Sequence, residues 1–420
     1  MPIQAMPIQA MPIQAMPIPF FRSAWVRLPV SLFRIDSTSA FYASGVVPAS
    51  RFLALTASFL ALTASFLALT ASFLALTAQA ESLWEVTADS RLSLERGLEN
   101  LSQTQTSDGN WGTKDLGVVS MGVLAYMSDG HAPGRGKYGS ILERALDYVL
   151  TNAKPSGLLN INGEGRDMYN HGLSTFVLGQ AYGMTNNDRV GPVLDRALTL
   201  IIKCQGPDGG WDYKAAPIGG HDLSLAVMQA KALRSAVDSG FSVPPAVTDL
   251  AIRHVRRYYA PAEGDRNLPE EEQKKRPGQF TYDGNYGRKT LAMAAAGVVC
   301  LQEFAQYDDW RIPKNIDVIE AAIAEAAANP AGGLGMDAYT LYYVAQALYQ
   351  VGGEPWQRSY PLLREKIIRS QNQVKNTPAY GGWGDIYQTS VCCFVLAIPN
   401  RYLPILQEGK IDSLRKQFSK

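Results

Sequence analysis

A pattern that recurs six times after residue 90 constrains this chain more than any other feature. Each unit reads as an amphipathic helix, a Gly/aromatic turn and a second helix of small apolar residues. The turn is clearest at Gln105-Thr106-Ser107-Asp108-Gly109-Asn110-Trp111 and Gln205-Gly206-Pro207-Asp208-Gly209-Gly210-Trp211. One such unit cannot bury its apolar face alone, so neighbours must stack. Six helical hairpins suffice to close a ring. The expected fold is therefore all-α, an α6–α6 toroid.

The first helices align with one another. Ile141-Leu142-Glu143-Arg144-Ala145-Leu146 matches Val193-Leu194-Asp195-Arg196-Ala197-Leu198. Apolar residues at i, i+1, i+4 and i+5 make one stripe opposite a charged face, as expected of an outer wall. The second helices, over 118–127, 173–182, 223–233, 291–301, 338–349 and 386–398, carry almost no charge. Helices apolar all round are buried on all sides, so these form the inner ring. The turns fall near Trp111, Leu158, Trp211, Phe280, Leu334 and Trp383. The longest interval contains Pro261–Gly278, with Glu270-Glu271-Glu272 and Lys274-Lys275-Arg276. Such charge runs are usually solvated loops, and a lid over one mouth is the functional alternative.

The turn motif has a physical logic. Gly permits a positive φ after a helix. Trp buries a large ring against the neighbouring hairpin and needs a partner for its N–H, which Gln at the helix end is placed to supply. The motif is expected to staple the ring rather than to catalyse.

Four regions follow. Residues 1–50 are a repetitive extension that begins with copies of MPIQA, and 51–80 carry near-copies of FLALTAS. The heptads lack flanking charges and a polar face, which excludes a coiled coil. Arg51, the apolar run and Ala78-Gln79-Ala80 read as a secretory signal cleaved after Ala80, with an uncleaved anchor as the alternative. Export to the periplasm or the extracellular space follows. No Met occurs between Met16 and Met121, so a start at a non-Met codon such as that of Val46 or Val47 is a further expectation. Residues 81–405 form the toroid and 406–420 a tail or short docking helix.

The whole chain has 39 basic and 38 acidic residues; from residue 81 onward 35 and 37 remain, a balance of −2. Without a basic stripe, nucleic acid is excluded as a partner. Membrane contact is expected only through an uncleaved signal, and the oligomeric state is open. Cys204, Cys300, Cys392 and Cys393 all lie in apolar helical stretches and read as buried free thiols. Cys204–Cys300 is the one pairing to check.

Turns before the inner helices converge on one mouth of a ring. Asp115, Asp167, His171, His221, Asp222, Arg288, Asp337 and Asp385 fall there. Capping of helix N-termini is the expected role of Asp115, Asp167, Asp222 and Asp385. His caps poorly, so His171 and His221, with a carboxylate such as Asp337, are the acid/base candidates. Tyr169, Tyr286, Tyr339, Tyr342 and Tyr387 are candidates to line a cavity.

The repeated Gln-x-x-x-Gly-x-Trp resembles the Gln-Trp repeat of squalene and hopene cyclases. Gly381-Gly382-Trp383 with Asp385-Ile386-Tyr387-Gln388-Thr389 looks like the last repeats of protein prenyltransferase β subunits. The likeness covers roughly residues 90–405 and implies the toroid with an apolar, isoprenoid ligand in its mouth, where aromatic faces would stabilise cations. The catalytic signatures differ. There is no Asp-x-Asp-Asp acid, and Asp308-Asp309 lies in a connection between units. Where the prenyltransferases hold zinc with Asp-x-Cys and a His, this chain has Asp337-Ala338-Tyr339 and Gln388. Tyr and Gln are poor zinc ligands, so neither a metal nor a cofactor is expected. The expected function is an exported relative of these enzymes that binds an isoprenoid. A scaffold that has lost the active site and a carbohydrate-active toroid are the alternatives. The last would use Asp167, Asp222, Trp111 and Trp211.

Overall fold

The alternation of amphipathic and apolar helices is borne out in the order of the elements. The computed structural model describes residues 84–261, 268–283, 287–329, 335–373 and 386–407. The chain divides into a unit of residues 1–70 and a unit of residues 71–420, and all described residues belong to the second. The repetitive extension, the signal segment, Tyr286, the Gly381–Trp383 turn and Asp385 lie outside the described residues.

The outer helices are α1 (Ala88–Thr104), α3 (Gly139–Thr151), α5 (Val190–Cys204), α7 (Pro245–Arg256), α10 (Arg311–Ala328) and α12 (Gly353–Gln373). The inner ones are α2 (Leu116–Ser128), α4 (Asp167–Tyr182), α6 (Leu223–Asp238), α9 (Leu291–Glu303), α11 (Ala338–Val351) and α13 (Ile386–Ala397). Each inner helix packs on the next, and α13 returns to α2, so the ring is closed. Outside it, α3 backs α2, α5 backs α4, α10 backs α9, α12 backs α11, and α1 completes the wall behind α13. The molecule is an all-α toroid.

The turns explain the spacing of the repeat. Gly109, Gly157 and Gly209 hold φ near +90°, and a Cβ at each would lie within 2.4 Å of a carbonyl oxygen of the next outer helix, at Arg144, Arg196 and Leu250. Only glycine fits. These glycines align Leu159, rather than Leu158, with Trp111 and Trp211. The aromatic rings then seat on inner-helix glycines. Trp111 lies against Gly122 and Phe280 against Gly297, with no room for a Cβ.

The expected role of Gln is corrected. The Trp111 and Trp211 N–H groups donate to the carbonyls of Leu101 and Ile201, both at 2.8 Å. Gln105 and Gln205 instead donate to the turn carbonyls of Gly109 and Gly209 and to Ile141 and Val247 of the next outer helix. Trp closes its own unit, and Gln ties it to the following one.

The long connection is more ordered than its charge run suggests. Strands β1 (Tyr259–Pro261) and β2 (Gly278–Phe280) pair antiparallel at its base, and a short α8 (Glu270–Lys274) lies between them. Its Glu270 accepts a hydrogen bond from Trp310 at 2.8 Å, which anchors it to the start of α10. Asp308 and Asp309 do lie between units, and Asp309 is buried against Arg256 and Arg311.

All four cysteines are buried and none forms a disulfide. The end of the toroid opposite the inner-helix N-termini is crossed by residues 398–407. Asn400 bonds Asp129, the Ile405 N–H bonds Gln180, and Tyr349 donates to the Leu406 carbonyl. No described helix is long and apolar enough to cross a membrane.

Candidate functional site

Six inner helices separated by single outer helices run in the same sense, so their N-termini gather at one mouth. Capping supplies polar groups there. Asp115, Asp222 and Asp337 cap α2, α6 and α11, accepting from Val118, Ser224 and Thr340. Asp167 caps nothing. It is the buried first residue of α4 and accepts from Asn160 at 2.7 Å.

Asp222 is the hub. One carboxylate oxygen accepts from the backbone N–H groups of Ser224 and Leu225 and from the Ser224 hydroxyl. The other accepts from the Tyr213 hydroxyl at 2.6 Å and faces His221 Nδ1 at 3.3 Å. Tyr282 lies 2.7 Å from the Tyr213 hydroxyl and, since Tyr213 donates to Asp222, donates to Tyr213 in turn. Burial, then the neighbouring Asp222, pushes the Tyr213 hydroxyl well above its ordinary range, so it stays protonated as a donor. His221 is more than half exposed and packs edge-on against Tyr213 at 4.8 Å. Its Nδ1 is spent on Asp222, which leaves Nε2 as the nitrogen open to a ligand. A carboxylate that fixes one nitrogen so that the other serves as base or acid is the logic of acid–base dyads.

Aromatic faces complete the mouth. Tyr169 lies parallel to Tyr213 at 6.0 Å, and its hydroxyl is 3.5 Å from that of Tyr339. Tyr169, Tyr213, Tyr282, Tyr339 and Tyr387 are all half-buried. Arg288 stands at the rim, 5.3 Å above the Tyr282 ring. Below them the bore is filled. Tyr343 donates to Met228 Sδ, Tyr342 packs on Tyr343, and both rings are fully buried.

The structure does not bring His171 to His221. His171 is fully buried, accepts from the Leu159 N–H on Nδ1, and donates from Nε2 to Ala197 at 3.0 Å. Both nitrogens are committed to backbone, and burial holds the imidazole down to about 4. Asp337 is exposed at the rim. Among the described residues no three of His, Cys, Asp and Glu stand close enough to hold a metal ion.

Sequence reasoning missed Tyr213 and Tyr282. Each lies two residues past a turn aromatic, Trp211 and Phe280, and that shared offset was the available signal. It also passed over Lys231, the buried one of the two cations on α6. Its ammonium lies 3.3 Å from Glu303, bonds Gln346, and stands 4.3 Å from the Phe176 ring, all out of solvent. Burial lowers its pKa, and Glu303 pulls it back up.

A scan of protein-family models finds no match, and neither does a comparison with curated proteins. Among solved structures the chain is similar to a D-mannose isomerase, with 11% identity and a TM-score of 0.50 over 75% of this chain and 98% of that one. It is also similar to two variants of a type II terpene cyclase from Scytonema, each in complex with the substrate geranylgeranyl dihydroxybenzoate. Identity is 12% in both, with TM-scores of 0.47 and 0.48 over 75% of this chain and 98% of those. The isomerase match agrees with the ring closure: the fold is an α/α toroid.

Proposed function

We propose that the tyrosine-lined mouth binds a small ligand that has both an apolar face and hydroxyl or carbonyl groups, and that His221 moves protons on it. The chain of hydrogen bonds from Tyr282 through Tyr213 to Asp222, with His221 on the same carboxylate, carries this reading. Half-buried rings offer faces for C–H groups, and the hydroxyls at their tips offer hydrogen bonds. A sugar has both features. A base with one fixed tautomer suits proton abstraction beside a carbonyl, the step that interconverts aldoses and ketoses. Asp222 replaces Asp337 as the partner of His221 in this reading, while Asp115, Asp337 and Arg288 contribute to the rim.

The second reading is an isoprenoid held by the same rings, whose faces attract a developing cation. One experiment separates the two. Purified protein is incubated in D2O with mannose, fructose and glucose, and deuterium uptake is read by mass spectrometry. A parallel sample is extracted with solvent for bound isoprenoid. Uptake that falls at least a hundredfold in His221→Ala supports the sugar reading. A stoichiometric isoprenoid without uptake favours the second. Neither result would leave the mouth without a ligand and end both readings.

Export with cleavage after Ala80 is part of the proposal. Sequencing the N-terminus of secreted protein tests it, and a start at Glu81 is the expected result.

A further inference from the structure

The closed end of the toroid carries a groove, away from the mouth. It measures about 820 Å3, counted to its open side, and its apolar wall is made by Leu233, Val237, Val243 and Phe304. Val237 is 51% exposed, although every other apolar residue of α6 is buried. The charged residues on the walls are matched within the fold. Arg234 Nε bonds both oxygens of Asp238 at 3.0 Å, and Glu303 lies 3.3 Å from Lys231. What the groove offers an occupant is therefore apolar surface.

The chain itself arrives at this place. Where residues 398–407 cross the closed end, Gln180 and Tyr349 hold the backbone of Ile405 and Leu406. Gln407, the last described residue, lines a second cleft together with Arg234 and Glu303, and those two residues also line the groove. Residues 408–420 follow and lie outside the described residues. Their sequence places Ile411, Leu414 and Phe418 at i, i+3 and i+7, the spacing of one helix face. Asp412, Ser413, Lys416 and Lys420 fall on the opposite face of such a helix. Residues 408–410 span about 10 Å when extended, roughly the width of one helix, which suffices to pass from the second cleft to the groove.

We infer that the groove is the docking site of the chain's own C-terminal segment, seated as an amphipathic helix. Ile411, Leu414 and Phe418 pack on Leu233, Val237, Val243 and Phe304, and Val237 gains the cover that the rest of α6 already has. Docking extends the crossing begun by residues 398–407 and seals the closed end. It is independent of the chemistry proposed at the mouth.

The test is NMR of the full chain with labelled Val and Leu methyl groups. Leu414→Ser combined with Phe418→Ser removes two anchors and alters no residue of the toroid. The Val237 and Val243 signals should shift, and that of Val118 at the mouth should not. A chain ending at Gln407 should show the same shifts. Added peptide 408–420 should reverse them saturably, and the same peptide with both serines should bind at least tenfold more weakly. If the shortened chain folds poorly, the full-length double variant decides alone. Unchanged Val237 and Val243 signals in that variant would overturn the inference. Signals that move when the unaltered protein is diluted would also overturn it, in favour of a second copy seated in the groove.

Discussion

His171 and His254 show how placement turns one residue type to different ends. Both are buried, and burial holds each imidazole down to about 4, with Arg257 adding to the effect at His254. His254 also faces Asp208, which pulls the other way, and its Nε2 has no hydrogen bond. In the unfolded chain both titrate near 6.5. Between those values the unfolded state binds more protons, so stability is full above about pH 6.5 and falls as the pH drops to about 4. Linkage puts the loss at about 3 kcal/mol per histidine. Urea unfolding at pH 7 and pH 4.5 should show it, and His171→Gln should flatten the difference by about half. His221, exposed and tied to Asp222, should behave otherwise. His221→Ala is expected to leave the urea midpoint nearly unchanged while removing proton exchange on the ligand. A large drop in stability would mean that this residue is structural.

At the scale of the element, the turn decides how one unit grips the next. Gly209 combines a φ of +89° with a carbonyl 2.3 Å from any added Cβ, whereas Gly112 has a φ of +73° and open space. Gly209→Ala therefore carries both strain and a clash with α7. Gly112→Ala carries strain alone, about 1–3 kcal/mol by the usual cost of left-handed backbone. Thermal unfolding should rank Gly209→Ala as clearly the worse, and equal losses would argue against a stapling role. Periodicity revealed these elements readily, because a wet outer helix and a dry inner one differ in composition. The bonding within the turn was less legible. Gln and Trp each have several partners within reach of sequence spacing, and only the packed neighbour selects among them.

Across the whole molecule, Lys231, Glu303 and Gln346 link α6, α9 and α11 across the inner ring. Removing one member of a buried pair strands the other charge, at about 3–5 kcal/mol, while replacing both with apolar side chains costs far less. Lys231→Met should therefore be strongly destabilising, and Lys231→Met with Glu303→Leu should recover most of the loss in chemical denaturation. The four buried thiols lead to a simpler expectation. Reducing agent should leave the melting temperature unchanged, and thiol titration should count four groups only after unfolding.

The repeat by itself determined the ring, because six units with one dry face each have few other ways to bury it. It also placed Asp115, Asp222 and Asp337 at helix starts, since capping is local chemistry. Which of these acids meets a histidine was a different matter. His171 and His221 match in the sequence pattern, yet His171 lies one turn inside α4 and faces backbone behind the inner ring, while His221 precedes the N-cap of α6 and faces the open mouth. The Tyr213–Tyr282 contact joins residues 69 positions apart, and Tyr169 meets Tyr339 across 170. Such contacts depend on ring closure and side-chain direction, which no local pattern encodes, so only the tertiary structure could assemble the mouth.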